Sequence, residues 1–346
     1  MGPKPSTLKR VMPQLLILAA ALALNVLVFP EFFHIDFRNG RLFGNIVDVL
    51  NRGAPVALLC IGMTLVIATR GIDLSVGAVM AIAGAVAASM VVNGHGWVTA
   101  LLAALGAGGI CGLWNGFLVA VLRIQPIVAT LVLMVAGRGI AQLVTEGKIL
   151  TFSDPGLIHL GAGVVAGIPT PILIWVSLGL LVAWAVRKTA LGMLIEAIGI
   201  NERSSRLAGI NSRVLLICVY TVSGLCAALA GVIVAADIKG ADANNAGLWL
   251  ELDAILAVVI GGNSLLGGRF SILASLIGAL IIQSVNSVIL LSGMPPEFNL
   301  VIKAVLILCI LVIQSPRIGN LVYILRASGP QPQPDRPAIP EKEAAR

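Results

Sequence analysis

The sequence predicts an all-α, polytopic membrane protein with about ten transmembrane helices, some of them short or broken. Three observations lead there. Of 346 residues, 58% are hydrophobic and only 11% charged, against about 25% charged in a soluble domain. So little charge cannot cover a water-facing surface. Glycines are abundant, at 38, and aromatics scarce, at 5%, which suits helices that approach closely in lipid. Finally, the apolar residues fall into runs of roughly membrane-spanning length, separated by polar breaks.

Taken in order, Lys4, Lys9 and Arg10 precede an apolar run from Val11 to Pro30. Residues 1–10 are expected to be cytoplasmic. Ala21 and Ala23 offer the A-x-A pattern of a cleavable signal peptide. The run continues to Phe29, long enough to span, so a retained first helix is expected. Residues 31–53 are polar, with an amphipathic lead-in at Ile46, Val49 and Leu50. Apolar segments follow at about 54–69, 72–92, 98–122 and 126–145, then a loop at 146–170 punctuated by Pro155 and Pro169. Further segments lie at about 171–186, 214–236, 253–262, 271–292 and 299–315, with a polar loop at 237–252. The run 253–262 is too short to cross alone and reads as a half-helix, or as one extending back through Leu248. Residues 11–315 thus form the membrane domain. Residues 316–346 read as a cytoplasmic, Pro-rich disordered tail.

The formal net charge of +7 is read here as the mark of cytoplasmic loops, not of nucleic-acid binding. With both termini inside, most of the 23 lysines and arginines fall on the cytoplasmic side. Arg138 and Lys303 fall within spans. The five cysteines (Cys60, Cys111, Cys218, Cys226, Cys309) lie in apolar runs without a CxxC pair and read as small buried hydrophobes. His34, His95 and His159 are expected in external loops with no metal-ligand spacing. No metal or cofactor is expected. There is no G-x-x-x-x-G-K-[ST], so the chain carries no P-loop. An enzyme is not expected.

The stretch 65–92 organises the chain. An apolar run stops at Arg70-Gly71-Ile72-Asp73, and a run rich in Gly and Ala starts at once. A charge at such depth is costly unless protein or a water-filled path covers it. Asp73 is therefore either a contact on a substrate path or a cap on a helix starting at Leu74. Residues 257–270 repeat the pattern weakly. Asn115 stands one step from the ladder Gly108, Gly112, Gly116, whose spacing of four places the glycines on one helical face. It either bridges helices or meets a solute. Arg138, between Gly137 and Gly139, needs a carboxylate or carbonyls, with Asp73 as one possible partner. Tyr220 and Ser223 are lesser polar candidates. Glu251 and Asp253 enter a short apolar run ending in Gly261-Gly262 and Gly267-Gly268, which reads as a gate, a ligand contact or an interfacial loop with snorkelling carboxylates. The loop 187–213 is the longest basic connection. Its Ile198, Ile200, Leu207 and Ile210 offer an apolar face either to a cytoplasmic partner or simply within a topology-setting loop.

Together these pieces resemble the permease subunits of bacterial ATP-binding-cassette sugar importers, the group that includes ribose, arabinose and xylose permeases. The residues that carry the resemblance are Gly71-Ile72-Asp73-Leu74-Ser75-Val76-Gly77, Asn115-Gly116, Gln125-Pro126 with Ala129-Thr130-Leu131, Arg138-Gly139, the loop from Ala197 through Asn201 to Gly209-Ile210, and Glu251-Leu252-Asp253-Ala254-Ile255 running to the double glycines. They span about 46–315. Within the group the closer resemblance is to galactofuranose-importer permeases, on Met12-Pro13-Gln14-Leu15, Gly40-Arg41-Leu42-Phe43-Gly44 and the run from Gly240 to Glu251. Arg70 departs from the usual Gly, and Asn263 from a common Thr.

The resemblance implies a bacterial inner-membrane complex: this permease, a second permease that is identical or different, a cytoplasmic ABC ATPase and a periplasmic sugar-binding protein. It implies that Glu196, Asn201, Arg203, Arg206 and Gly209 dock the ATPase, which would hydrolyse ATP on its own chain. The substrate would be a monosaccharide, galactofuranose or galactose, with Asp73, Asn115 and Asp253 as candidates for the path. A pentose permease of the same type and an ion-coupled secondary transporter are the rivals. The latter would need acids deep within spans, and here the acids cluster at breaks and loops.

Overall fold

The computed structural model describes residues 7–314, except residues 39, 294 and 296. The predicted tail at 316–346 lies outside the described residues, as do residues 1–6 of the N-terminal segment. The chain is nearly all helix, as expected. Helix α1 (Thr7–Val28) leads into a hairpin of β1 (Asp36–Arg38) and β2 (Arg41–Phe43). The short α2 (Asn45–Arg52), the amphipathic lead-in, buries Val47 and Val49 and bends by 43° into α3 (Ala54–Ala68). Helices α4 (Val76–Val92), α5 (Trp97–Ala120) and α6 (Pro126–Val144) follow on short connections. Next come β3 (Leu150–Thr151), α7 (Pro155–Ala162), β4 (Val164–Val165) and β5 (Ile168–Pro169). Helix α8 (Thr170–Lys188) precedes two short helices, α9 (Leu191–Ile200) and α10 (Glu202–Leu207). The chain continues with α11 (Ser212–Asp237), β6 (Gly240–Ala241), α12 (Leu250–Ile260), α13 (Ile272–Leu291) and α14 (Glu297–Gln314). From Leu300 onward the chain forms a separate unit.

Each of the ten predicted apolar segments is a helix. Among the described residues, six helices are long and apolar enough to cross a bilayer, or seven if α2 and α3 count as one bent span. The remainder are shorter. At 1.5 Å per residue the 11-residue α12 measures about 16 Å, roughly half the hydrocarbon thickness, so the half-helix reading holds. It reaches back to Leu250, not Leu248.

Helix α11 is the axis, packed against α5, α3 and α4. The glycine ladder explains how closely it is held. A Cβ on Gly112 would come within 2.8 Å of Thr221 Cα, and one on Gly116 within 2.7 Å of Ile217 Cα. Gly224 answers from α11, where a Cβ would meet Gly112 Cα at 3.0 Å. In lipid no hydrophobic drive pulls helices together, so backbone approach and dispersion must do so. The first helix is an integral part of the bundle. Gln14 Nε2 donates to Gly261 O at 3.1 Å, and Asn25 Nδ2 donates to Ser284 O at 3.1 Å.

The two ends of α11 lie about 39 Å apart along its 26 residues. At the Asp237 end, β3 pairs with β6 and α7 packs on α11. The stretch 146–170 is thus more ordered than the plain loop expected. Asp154 caps α7 by accepting from Leu157 N at 2.9 Å, and His159 sits on this helix. At the Ser212 end lie the breaks after α3 and α12. Cys60 and Cys226 are buried and Cys111 half-buried, but Cys218 is exposed, contrary to the reading of it as a buried hydrophobe. The side chain of Cys309 lies outside the described residues.

Candidate functional site

The first break, between α3 and α4, ends the apolar run without leaving its charge bare. Asp73 Oδ1 accepts from Ser75 N (3.1 Å) and Ser75 Oγ (2.6 Å), and Oδ2 accepts from Ser223 Oγ (2.9 Å) on α11. Asn115 Nδ2 on α5 donates to Ser75 Oγ at 2.8 Å. The carboxylate thus ties the break to α11, and the Ser75 hydroxyl ties it to α5. Asp73, Ser75, Asn115 and Ser223 are each about 1% exposed. The acceptors still open in this cluster are informative: Asn115 Oδ1 and Tyr220 Oη are buried without a hydrogen-bond partner. Tyr220 Oη lies beside Gly71, where a Cβ would approach it to 2.5 Å. The helix after the break begins at Val76, not Leu74. Asp73 takes the amide two residues on, an Asx turn, and so delays the helix by two residues.

The second break, between α12 and α13, keeps its one charge, Arg269, exposed and closes its buried part with neutral groups. Asn263 Nδ2 donates to Val258 O (3.1 Å) and Ser275 Oγ (2.8 Å), and its Oδ1 accepts from Ser271 N (2.7 Å). Thr64 Oγ1 on α3 donates to Ser275 Oγ at 2.7 Å. The two breaks meet: Gly268 N donates to Ala68 O at 2.9 Å.

Arg70 fastens that meeting to the basic loop. Its Nε donates to Leu266 O (2.9 Å) and its Nη2 to Ile200 O at the end of α9 (2.7 Å). Its backbone lies in the left-handed region, at φ 64°, which a non-glycine residue enters at a cost of about 1–2 kcal/mol. A glycine is therefore the natural occupant, and the arginine trades backbone ease for two charged hydrogen bonds. Gly199 is held by the same junction, since a Cβ there would reach Gly268 N at 2.5 Å.

In the loop 187–213, the expected apolar face divides. Ile198 is buried at 2% exposure, whereas Ile200 and Leu207 are exposed at 61% and 86%. Asn201 is the N-cap of α10, its Oδ1 accepting from Ser204 N at 3.0 Å. Gly209, at φ 87°, stops the same helix. Arg206 pairs with Glu202 at 3.3 Å on the surface, and Arg203 is exposed. Glu196 is half-buried and lines a cavity of about 550 Å³ with Gln14, Arg187, Asn263 and Arg269. A second cavity at this end, of about 300 Å³, is lined by Arg70, Arg123, Arg206 and Tyr220.

Toward the other end, Arg138 Nη1 donates to Ala243 O (3.1 Å) and Ala246 O (2.6 Å). Its need is met by carbonyls and not by Asp73. It thereby shapes the turn 242–247. Asp242 Oδ1 accepts there from Asn244 N and Asn245 N at 3.0 and 3.2 Å, and Oδ2 from Asn245 Nδ2 at 2.7 Å. The Asn245 side chain first, with the backbone amides, lowers the Asp242 carboxyl below its ordinary value. Glu251 and Asp253 are buried at the start of α12, the former against Gly77, which also abuts Gly247. Asp253 lies near Cys60 of α3. The structure thus joins Asp73 to Asn115 through Ser75. Sequence reasoning missed Ser75 as the joint and Glu251 as the acid beside α4. The run of small residues at Gly77 and Gly247 was the available signal for Glu251.

Comparison with known proteins accounts for this architecture. Residues 45–311 match the model of a family described as branched-chain amino acid transport system / permease component. The chain is 61% identical to the galactofuranose transporter permease protein YtfT of Escherichia coli over 317 residues, 91% of this chain and 93% of the relative. It is 43% identical to the fructose import permease protein FruF of Bifidobacterium longum, over 82% of this chain and 80% of that one. It is 39% identical to the ribose import permease protein RbsC of Escherichia coli, over 88% and 93%. No solved structure matches the chain. A bundle of apolar helices with buried polar breaks, matched over nearly its whole described length, is a multi-pass membrane transport subunit, and the chain belongs to this family of permease components.

Proposed function

We propose that this chain is the permease subunit of an ATP-binding-cassette importer that carries a monosaccharide, galactofuranose or galactose, across the bacterial inner membrane. The observation that carries the reading is the 61% identity to a galactofuranose permease across 91% of this chain. It agrees with the chemistry of the interior, where breaks are satisfied by amides and hydroxyls of the kind a polyol can replace.

Both termini are cytoplasmic in this reading. The Asp237 end of α11 faces the periplasm and receives sugar from a binding protein over 146–170 and 237–252. The basic loop 187–213 docks a cytoplasmic ABC ATPase, with Arg203 and Arg206 on the exposed face, Glu196 beside it, and Asn201 and Gly209 setting its shape. A second permease, identical or different, completes the membrane part. ATP is hydrolysed on the ATPase. Motion of α9 passes to the breaks through Ile200 and Arg70, and the bundle opens along a path that includes Asp73, Asn115 and Asp253.

The test is reconstitution of the permease with its ATPase and binding protein in proteoliposomes. ATP-dependent uptake of galactofuranose ahead of ribose is expected. Uptake of ribose alone would move the substrate to the pentoses, and uptake without ATPase under a proton or sodium gradient would overturn the class.

A further inference from the structure

The cavity of about 550 Å³ lies where three membrane-spanning helices stop. Val11, the first residue of the apolar stretch of α1, lines it. So do Arg187, next to last in α8, and Ile272, the first residue of α13. At the end of a span hydrocarbon gives way to lipid headgroups, so the cavity sits at headgroup depth. Trp184, exposed one turn before the end of α8, marks the same level, since a lipid-facing indole settles at the interface.

The cavity is charged on the inside and apolar on the outside. Arg187 and Arg269 are its bases and Glu196 its acid, which leaves its lining net positive. Among the described residues, neither guanidinium has a hydrogen-bond or ion-pair partner, Glu196 included. A guanidinium is a planar fork that matches phosphate oxygens. Beside the cavity, α1 and α8 each pack on α13 yet hardly touch each other. Leu16 on α1 and Leu181 on α8 are exposed, as is Met193 on the cavity wall. A small soluble anion would use the arginines and leave this apolar surface idle. A lipid uses both, and basic pockets between helices on the cytoplasmic side are where anionic headgroups bind.

We propose that this cavity seats the phosphodiester of an anionic glycerophospholipid, with Arg187 and Arg269 on the phosphate and the acyl chains against α1 and α8. The inference needs only the membrane-spanning fold. Which solute the chain carries does not bear on it.

The experiment titrates the full-length chain, purified in detergent, with phosphatidylglycerol and reads retained lipid by native mass spectrometry. Phosphatidylcholine and inorganic phosphate are separate probes. Phosphatidylglycerol should be held about tenfold or more tighter than phosphatidylcholine, as two basic residues allow. Arg187→Gln and Arg269→Gln, made separately, should each weaken it about fivefold, the worth of one basic residue beside anionic lipid. Arg213→Gln removes an exposed arginine that does not line the cavity, and should change retention by less than about twofold, since only a charge near the phosphate counts. Glu196→Gln removes the one repelling charge and should tighten binding. Thermal unfolding without phosphatidylglycerol should not move in the two cavity-arginine variants, because those side chains are exposed and unpaired. Where one of them unfolds early, the other decides. Equal retention of phosphatidylcholine would overturn the site, as would a loss in Arg213→Gln as large as in Arg187→Gln. Weaker binding in Glu196→Gln would mean an ammonium headgroup, and displacement of the lipid by inorganic phosphate would mean a soluble anion; either removes the proposal.

Discussion

The two breaks solve one problem with different chemistry. Both interrupt an apolar helix, and they meet at the hydrogen bond from Gly268 N to Ala68 O. The break at 261–271 satisfies itself with neutral groups, Asn263, Ser271, Ser275 and Thr64. The break at 69–75 buries a carboxylate, Asp73, held by Ser75 and Ser223. A neutral network is enough to close a break. A buried charge is expensive and is retained where it does something further, and in a membrane it marks a functional position by default. We propose that the difference separates a scaffold from a working part.

The strongest way to break this contrast is at Asp73. Asp73→Ala frees Ser75 N, Ser75 Oγ and Ser223 Oγ at once, at about 1–3 kcal/mol for each donor left unpaired. Poor expression and loss of import are expected. Asp73→Asn retains an acceptor for Ser75 and should fold. Its import should still fall about tenfold, about 1.4 kcal/mol of lost function. Size-exclusion profiles and uptake rates check the pair. Full import by Asp73→Asn would reduce the residue to an Asx turn and make the two breaks equivalent.

A smaller effect is expected at Arg70, where the breaks join the basic loop. Arg70→Gly relieves the left-handed backbone, worth about 1–2 kcal/mol, and loses the bonds to Leu266 O and Ile200 O. The two changes roughly offset, so thermal stability should hardly move. Coupling between ATP hydrolysis and transport should drop by about three- to tenfold, in line with 0.5–2 kcal/mol for a position linking two sites. The measurement is sugar moved per ATP hydrolysed in proteoliposomes. An unchanged ratio would sever the link between α9 and the breaks.

These contrasts show where the sequence is informative. A charge within an apolar run is visible at once, so Asp73 and Arg138 were both legible. So was the spacing of Gly108, Gly112 and Gly116, because helical periodicity is local. The partners of those charges were not legible. Ala243 and Ala246 lie more than a hundred residues from Arg138 and offer it only carbonyls, which every residue has. The start of α4 was misplaced by two residues because Asp73 competes with the helix for the Ser75 amide. Asn201 and Gly209 stood out as a pattern, yet their local work as cap and stop of α10 accounts for much of it.

The finest test of the contrast is Asn263→Thr, in the second break. Threonine offers one hydroxyl where asparagine makes three hydrogen bonds. It can accept from Ser271 N and donate to one acceptor, so about one bond is lost, roughly 0.5–1.5 kcal/mol. Thr64 and Ser275 keep the junction with α3 closed. A small fall in unfolding temperature is expected, with import within about twofold of wild type. That tolerance follows from a buried network that is built without a charge. Loss of import in Asn263→Thr alongside full import in Asp73→Asn would invert the assignment: the second break would be the working part, and the buried carboxylate a fastening.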